Sequence, residues 1–436
     1  MVTDAVTERP EAETAFPYAA RLLLTLAVLA LYWFGHRVPL PLVNPEIRQL
    51  GISFGARVGV LVFETTPLWT GFCLVELFAL ATSAGRRLRR DGLAGRAKLN
   101  RAALIVSLTL AALQAASTAR YLESMSLPDV GEIVPTPGIG FSLITIVTLT
   151  ATTAALYAVG QFLSAYGVGN GFALLALTSI TMKTLQRLHG TQGEIETGDG
   201  NGFLLMATLA ILVVVTLQVI RKSEDRWTPA FPQSVLPALA VAWLWPLIGL
   251  LKMSRPAELA LAAALILTLS WIGFHLFSSR SRLSAALSEP EEVLDGLAAD
   301  LRRQAGPATA LLVAGMLASL AWQEYAPSLA AFALDFPLLV LALAIGLDLW
   351  DQYRFEQRCG RPALLARLDD VHFSYRLEER LQEEEIAALA RGHHFRSLFF
   401  FFGALYKIDV LVPEDRLVRA REVMAELEMA REIKAF

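Results

Sequence analysis

The chain has 436 residues, of which 55% are hydrophobic and only 18% charged, with a formal net charge of −3. A soluble protein of this size carries about a quarter charged residues, so the balance points to a polytopic α-helical membrane protein. The apolar runs are continuous rather than alternating, which excludes an outer-membrane barrel. Two cysteines, Cys73 and Cys359, exclude a disulfide framework, and nothing in the charge distribution calls for nucleic acid.

Met1–Pro17 is polar and acidic and does not read as a cleavable signal. Ten apolar spans follow: Ala19–Phe34, Pro67–Ser83, Ala102–Arg120, Phe141–Phe162, Phe172–Met182, Phe203–Ile220, Val235–Leu251, Leu259–Phe277, Pro307–Trp322 and Phe336–Leu349. Between the second and third lies a basic loop with Arg86, Arg87, Arg89, Arg90, Arg96, Lys98 and Arg101 against Asp91. Lysine and arginine excess marks cytoplasmic loops, so both termini are expected inside. The loops with Arg221, Lys222 and Arg226, and with Arg280, Arg282, Arg302 and Arg303, fall on the same side. On the opposite side, Glu123–Gly140 has no basic residue, and Glu194–Gly202 is acidic and glycine-rich.

Leu40–Thr66 is moderately apolar but is broken by Gly51, Gly55, Gly59 and Glu64 and carries Arg48 and Arg57. It reads either as a re-entrant, plug-like piece held inside the protein or as an external loop packed on the bundle. The turn Gly167-Val168-Gly169-Asn170-Gly171 joins two apolar runs and is expected to fold them antiparallel. Pro67, Pro237 and Pro246 fall in spans two and seven, corresponding places in two five-helix halves, as in an inverted repeat. Glu76, Gln114, Arg120 and Asp348 are the polar residues within spans; Glu76 is either functional or an interhelical hydrogen-bond donor or acceptor, and Asp348 sits near a span's end.

Beyond Trp350 the chain turns charged. Ala363–Leu368, Ile386–Arg391 and Tyr406–Val412 read as strands, with helices over Val371–Glu384 and Pro413–Leu427, giving a small soluble α+β domain on the cytoplasmic side. Leu398–Phe402 fits its core or an exposed patch. His393-His394 is an isolated pair with no metal-ligand spacing around it, and no nucleotide loop, zinc pattern or activated nucleophile appears, so neither enzyme chemistry nor a cofactor is expected.

Tyr166–Ile180 resembles the glycine-rich turn and fifth helix of SecY, the channel subunit of the protein-conducting translocon. Gly85–Arg101 is similar to the family's basic loop after helix two, Pro232–Pro237 to the start of helix seven, Ala344–Asp348 to helix ten, and Glu289–Glu292 with Asp300–Gln304 to the loop before helix nine. The resemblance implies a channel over residues 19–355, two pseudo-symmetric five-helix halves around a pore, preceded by segment 1–18 and followed by the domain 356–436. By position it implies a pore constriction at Trp69, Cys73 and Leu174 or Leu175, with Glu76 and Gln114 at a polar lateral gate. It also implies a plug within Leu40–Thr66, a translocating polypeptide as cargo, SecE- and SecG-like small subunits, and the bacterial inner membrane. The loops after spans six and eight are short for the family, and Gln304-Ala-Gly-Pro307 replaces its Arg-Pro-Gly segment. A divergent accessory channel and a non-conducting membrane scaffold or regulator both fit. Leu389–His393, Val410–Asp415 and Ala420–Val423 are similar to a prokaryotic signal-transducing domain of ferredoxin-like or PII-like fold.

Overall fold

The computed structural model describes residues 17–44, 58–90, 92–127, 131–190, 210–220, 336–368, 371–398 and 407–434, with scattered single positions between 254 and 315. The chain packs as two units, residues 11–186 and a second made chiefly of residues 187–436. The expected spans over Val235–Leu251 and most of Leu259–Phe277 and Pro307–Trp322 lie outside the described residues, as do the basic positions Arg221, Lys222 and Arg226.

In the first unit, α1 is Tyr18–Gly35, α2 Thr66–Ala81, α3 Ser83–Arg90, α4 Gly92–Glu123, α5 Ile139–Tyr166 and α6 Gly171–Gly190, with the short antiparallel strands β1 (Ser126–Leu127) and β2 (Gly131–Glu132) between α4 and α5. Tyr18–Gly35, Ala97–Glu123 and Ile139–Tyr166 are long and apolar enough to cross a bilayer, and Thr66–Ala79 is a shorter apolar helix. Pro67 sits in the first turn of α2, where its missing N–H costs nothing. The basic segment expected as a loop is helical instead. Arg86, Arg87, Arg89 and Arg90 belong to α3, and Arg96 and Lys98 to the first turns of α4. Arginine and lysine are good helix formers, so their charge moves a helix out of lipid without ending it.

α2 and α4 touch backbone to backbone at one point. A Cβ on Gly71 would lie 2.6 Å from the Ser107 amide nitrogen, and the Ser107 hydroxyl donates to the Ala103 carbonyl (2.8 Å) and reaches Leu68 O at 3.3 Å. The two described ends of the segment Leu40–Thr66 are paired. Leu40 N–H donates to Val58 O and Val60 N–H to Val38 O, both at 2.9 Å. Leu40 and Val58 then pack with Ala115, Ala119 and Leu122 of α4, Ile133 and Val134, and Phe141 and Leu149 of α5. Residues 45–57 of that segment lie outside the described residues.

α1 is docked by polar groups placed on an apolar helix. Arg21 is 4% exposed, and its Nε and Nη2 donate to the Gly167 carbonyl at 3.2 and 3.1 Å. Thr25 Oγ1 accepts from Val168 N–H at 2.9 Å, and the Tyr32 and Ser179 hydroxyls are 2.7 Å apart. The turn itself works through two different glycines. Gly169 has φ +74°, a left-handed conformation costly for other residues. Gly171 is needed for contact: a Cβ there would stand 2.2 Å from Gly160 O. Asn170 then caps α6, its Oδ1 accepting from Phe172 N–H (3.0 Å) and Ala173 N–H (3.2 Å).

In the second unit, α7 is Ala210–Ile220 and α8 is Phe336–Cys359. The last expected span was placed at Phe336–Leu349, but the helix continues ten residues further without a break. There follow β3 (Pro362–Leu368), α9 (Val371–Glu383), β4 (Leu389–Arg391), α10 (His393–Ser397), β5 (Ile408–Pro413), a 3-10 turn at Glu414–Arg416 and α11 (Leu417–Lys434). The sheet order is β3-β5-β4, antiparallel throughout, so β3-α9-β4 is a split β-α-β unit with β5 inserted. One face packs Leu365, Val410 and Val412 against Leu377 and Leu381 of α9 and Ala420, Val423 and Met424 of α11. On the other face, Phe355 of α8 packs with Leu389 and Leu411, flanked by Cys359 and Leu364. Of Leu398–Phe402, Leu398 is fully buried and the phenylalanines lie outside the described residues.

The sheet also buries a charge. Asp409 on the central strand is directly opposite Arg367 on one neighbour and Arg391 on the other, and it accepts from both, at 2.7 Å for Arg367 Nε. Burial raises the Asp409 carboxyl, but the two guanidinium groups outweigh it and hold the group below the usual carboxylate range.

Two outcomes follow from these contacts. Arg21→Met removes two charge-assisted hydrogen bonds and should lower local stability by about 1.5–3 kcal/mol. Hydrogen exchange at Val168–Phe172 in the detergent-solubilised chain should speed up accordingly; unchanged protection would show that α1 does not hold the turn. Asp409→Ala should cost roughly 3–5 kcal/mol, because Arg391 stays buried without its carboxylate. A depressed folded pKa gives stability that is complete above the unfolded carboxylate value of about 3.9 and is lost as pH falls below it. The exchange-derived opening free energy of β5 should therefore fall on acidification in the parent chain, and this component should be missing in Asp409→Ala.

Candidate functional site

The candidate pore residues come from α2 and α6. Trp69, Cys73 and Glu76 recur at helical spacing along one stripe of α2. Trp69 is half-buried, its indole N–H donating to Thr65 Oγ1 at 3.1 Å, whereas Cys73 and Glu76 are buried. On α6 every residue from Phe172 to Ala176 is buried, Leu174 and Leu175 included. A helix that is buried all round its first turn lies inside a bundle rather than against lipid.

A stack of three rings joins these helices. Phe72 of α2 lies 6.3 Å from Tyr157 of α5 in a stacked arrangement, and Tyr157 lies 5.7 Å from Phe172 of α6. Phe72 directly precedes Cys73, and Phe172 stands two positions before Leu174, so the stack links the two helices through Tyr157 beside both sets of residues. Gly160 allows it: a Cβ there would strike the Phe172 ring at 2.5 Å. Tyr157 was not singled out from the sequence; an aromatic in an apolar helix carries no mark of its own.

Gln114, expected in the gate with Glu76, is exposed on α4, while Glu76 is buried. Arg86 Nη1 donates to Ala81 O at 3.1 Å, a cation on the carbonyl end of α2. Arg87 and Lys98 are exposed, and Arg89, Arg90 and Arg96 are placed by their helical backbone alone. At the start of α5, Glu123 accepts from Gly138 N–H (2.9 Å) and the Ser142 hydroxyl (3.3 Å), a carboxylate on the positive end of a 28-residue helix.

A second polar cluster lies in the other unit. Asp348 of α8, expected near the interface, is buried and caps α10, accepting from His394 N–H and Phe395 N–H at 2.9 Å each. His394 Nε2 is 2.8 Å from Asp351 Oδ2, and His393 Nδ1 is 2.9 Å from the Ala390 carbonyl. Glu378 accepts from Ala390 N–H at 2.7 Å, and burial pushes its carboxyl above the usual range against the pull of His393. The pair His393-His394 was visible in the sequence, but its acidic partners Asp348 and Asp351 stand more than 40 residues away with no spacing to announce them.

Three described helices long and apolar enough to cross a bilayer define the architecture as that of a polytopic helical membrane protein. The SecY family model matches residues 61–226, the stretch containing α2 to α6. Over 167 residues the chain is 28% identical to the protein translocase subunit SecY of Rickettsia bellii, covering 34% of this chain and 38% of that protein. The SecY subunit of Aquifex aeolicus is 27% identical over 167 residues, 34% of this chain and 39% of that protein. The matched stretch thus spans under two-fifths of these relatives' length. Among solved structures, Sec61 in the canine ribosome-channel complex from the endoplasmic reticulum superposes with a TM-score of 0.50 at 11% identity, covering 82% of this chain and 97% of that one. That likeness is one of fold. Over the matched segment the chain is similar to SecY family proteins.

The packing of α2 has a direct chemical readout. In the detergent-solubilised chain, maleimide should label half-buried Cys359 at least about tenfold faster than Cys73, which is 3% exposed. Cys359→Ser should leave only the slow phase; equal rates would mean that α2 does not face inward.

Proposed function

We propose that the chain is a divergent, accessory SecY-like channel subunit that passes or inserts polypeptides across the membrane. The observation that carries this reading is the burial of Cys73, Leu174 and Leu175 on two helices linked by the Phe72–Tyr157–Phe172 stack, within the segment that matches the family. An apolar constriction dewets and blocks ions, yet gives way to a chain, which is what a protein conduit needs. Trp69, half-buried at the outer turn of α2, completes the constriction in this reading, and Glu76 with Gln114 forms the polar part of a lateral gate. The described ends of the segment Leu40–Thr66, paired with each other and packed on α4 and α5, support a plug.

In the same proposal ten spanning helices form two pseudo-symmetric five-helix halves over residues 19–355, in the bacterial inner membrane with both termini cytoplasmic. The arginine-rich α3 and the start of α4 support that orientation. SecE- and SecG-like subunits would complete the complex, and the α+β domain over 356–436 would signal or gate from the cytoplasm. The chain acts as a conduit, not an enzyme. The short segment Arg221–Phe231, where the family has a long docking loop, favours a second reading: a membrane scaffold that keeps the fold and does not conduct.

Site-specific photocrosslinkers at Trp69 and Leu174 separate the two. A stalled secretory chain should be captured at both positions, and at neither of the exposed controls Leu113 and Val147. Failure at Trp69 and Leu174, in cells whose ordinary SecY captures the same substrate, would establish the scaffold reading.

A further inference from the structure

The two histidines after β4 are arranged by more than their sequence. His393 and His394 have ring centroids 3.9 Å apart, and with Asp348 they offer ligand atoms that all lie within 4.8 Å of one another. Asp348 comes from α8 and the histidines from α10, so two elements converge on one point.

Each ring is oriented through one nitrogen. His393 Nδ1 is the donor to the Ala390 carbonyl at 2.9 Å, which puts the imidazole lone pair on Nε2. His394 Nε2 points at the Asp351 carboxylate at 2.8 Å, which puts its lone pair on Nδ1. A backbone carbonyl behind one histidine and a carboxylate behind the other is the outer shell that fixes tautomer and ring orientation in metal sites. The Tyr375 ring meets His393 edge-on at 5.8 Å and restrains it further. Asp348 accepts from two backbone amides, and a carboxylate has about four acceptor sites, so capping and ligation are compatible.

We propose that Asp348, His393 and His394 bind a divalent transition-metal ion of the zinc class. Two imidazoles and one carboxylate suit zinc and its neighbours, and exclude a calcium or magnesium site, which wants oxygen ligands throughout. Tetrahedral zinc keeps its ligand atoms about 3.4 Å apart, so the three groups need to close by little more than an ångström. Three protein ligands leave the fourth position to water. His393 is half-buried and gives the ion its way in, while Asp348 and His394 are buried. The ion would tie α8 to α10 and so join the long helix to the sheet by coordination as well as by packing.

The test uses the full chain in detergent, without an oligohistidine tag. Equilibrium dialysis against zinc should show one ion per chain, and cobalt should give the intense visible absorption of a four-coordinate site. His393→Ala, at a half-buried position, should weaken zinc binding at least about tenfold while the chain keeps its helical circular-dichroism spectrum. His36→Ala, in the other unit, should leave it unchanged. No stoichiometric uptake by the parent chain, or uptake undiminished in His393→Ala, overturns the proposal.

Discussion

A guanidinium buried in an apolar helix is the constraint on which the first unit depends. Arg21 cannot stay in a low-dielectric interior without acceptors, and the Gly167 carbonyl at the C-terminal end of α5 supplies them. That carbonyl carries the negative end of a 28-residue helix dipole, so the contact is charge-assisted from both sides. Thr25, one turn along α1, takes up the next orphan group, Val168 N–H. α1 therefore closes the end of a helix that is far away in sequence. Once the turn is held, Asn170 is in place to cap α6, and Gly171 lets α6 lie against α5 at backbone distance. The ring stack that frames Cys73 and Leu174 begins one residue further on, at Phe172.

The long apolar helices were plain in the sequence because lipid-length hydrophobic runs have few other solutions. Their ends were not. Hydropathy reports the part of a helix that suits lipid and is blind to its polar continuation, so Phe336–Leu349 ran on to Cys359 and the basic stretch Gly85–Arg101 proved helical. The turn Gly167–Gly171 was legible as a turn, but the work of its glycines was not: only Gly169 needs positive φ, while Gly171 is there for close approach. Arg21 gave no warning, since a single cation near a helix start looks interfacial until its partner is known. Tyr157 and the Asp348–His394 contact are invisible for the same reason. Periodicity records which face of a helix is buried but never which residue it meets.

The junction between α8 and the sheet shows what continuity of a helix achieves. A helix that stopped at Leu349 would need a linker, and the small sheet would hang from it. Running to Cys359, α8 instead lays Phe355 on the face of the sheet that α9 and α11 leave uncovered. Two of its acids an i,i+3 step apart, Asp348 and Asp351, both reach α10, one through the backbone amides and one through an imidazole. Apolar packing and polar capping thus hold the same pair of elements.

The buried Asp409 contributes more to specificity than to stability. On β5 the side chains alternate, Val410 and Val412 toward the helices, Leu411 toward α8, with Asp409 between Arg367 and Arg391. A one-residue slip of β5 would swap its faces and carry the carboxylate into the Leu365–Val410 core, away from both guanidinium groups. An ion pair buried in a small sheet gains little over an apolar triad of the same volume, because desolvation offsets most of the attraction. The same desolvation makes the shifted register expensive, since a charge without its partner has nowhere to go. With three strands among the described residues and a bulge between Leu364 and Ala366, hydrophobic alternation alone would leave the pairing loosely specified. The cross-strand triad removes that freedom, and the face that meets α8 is set by it.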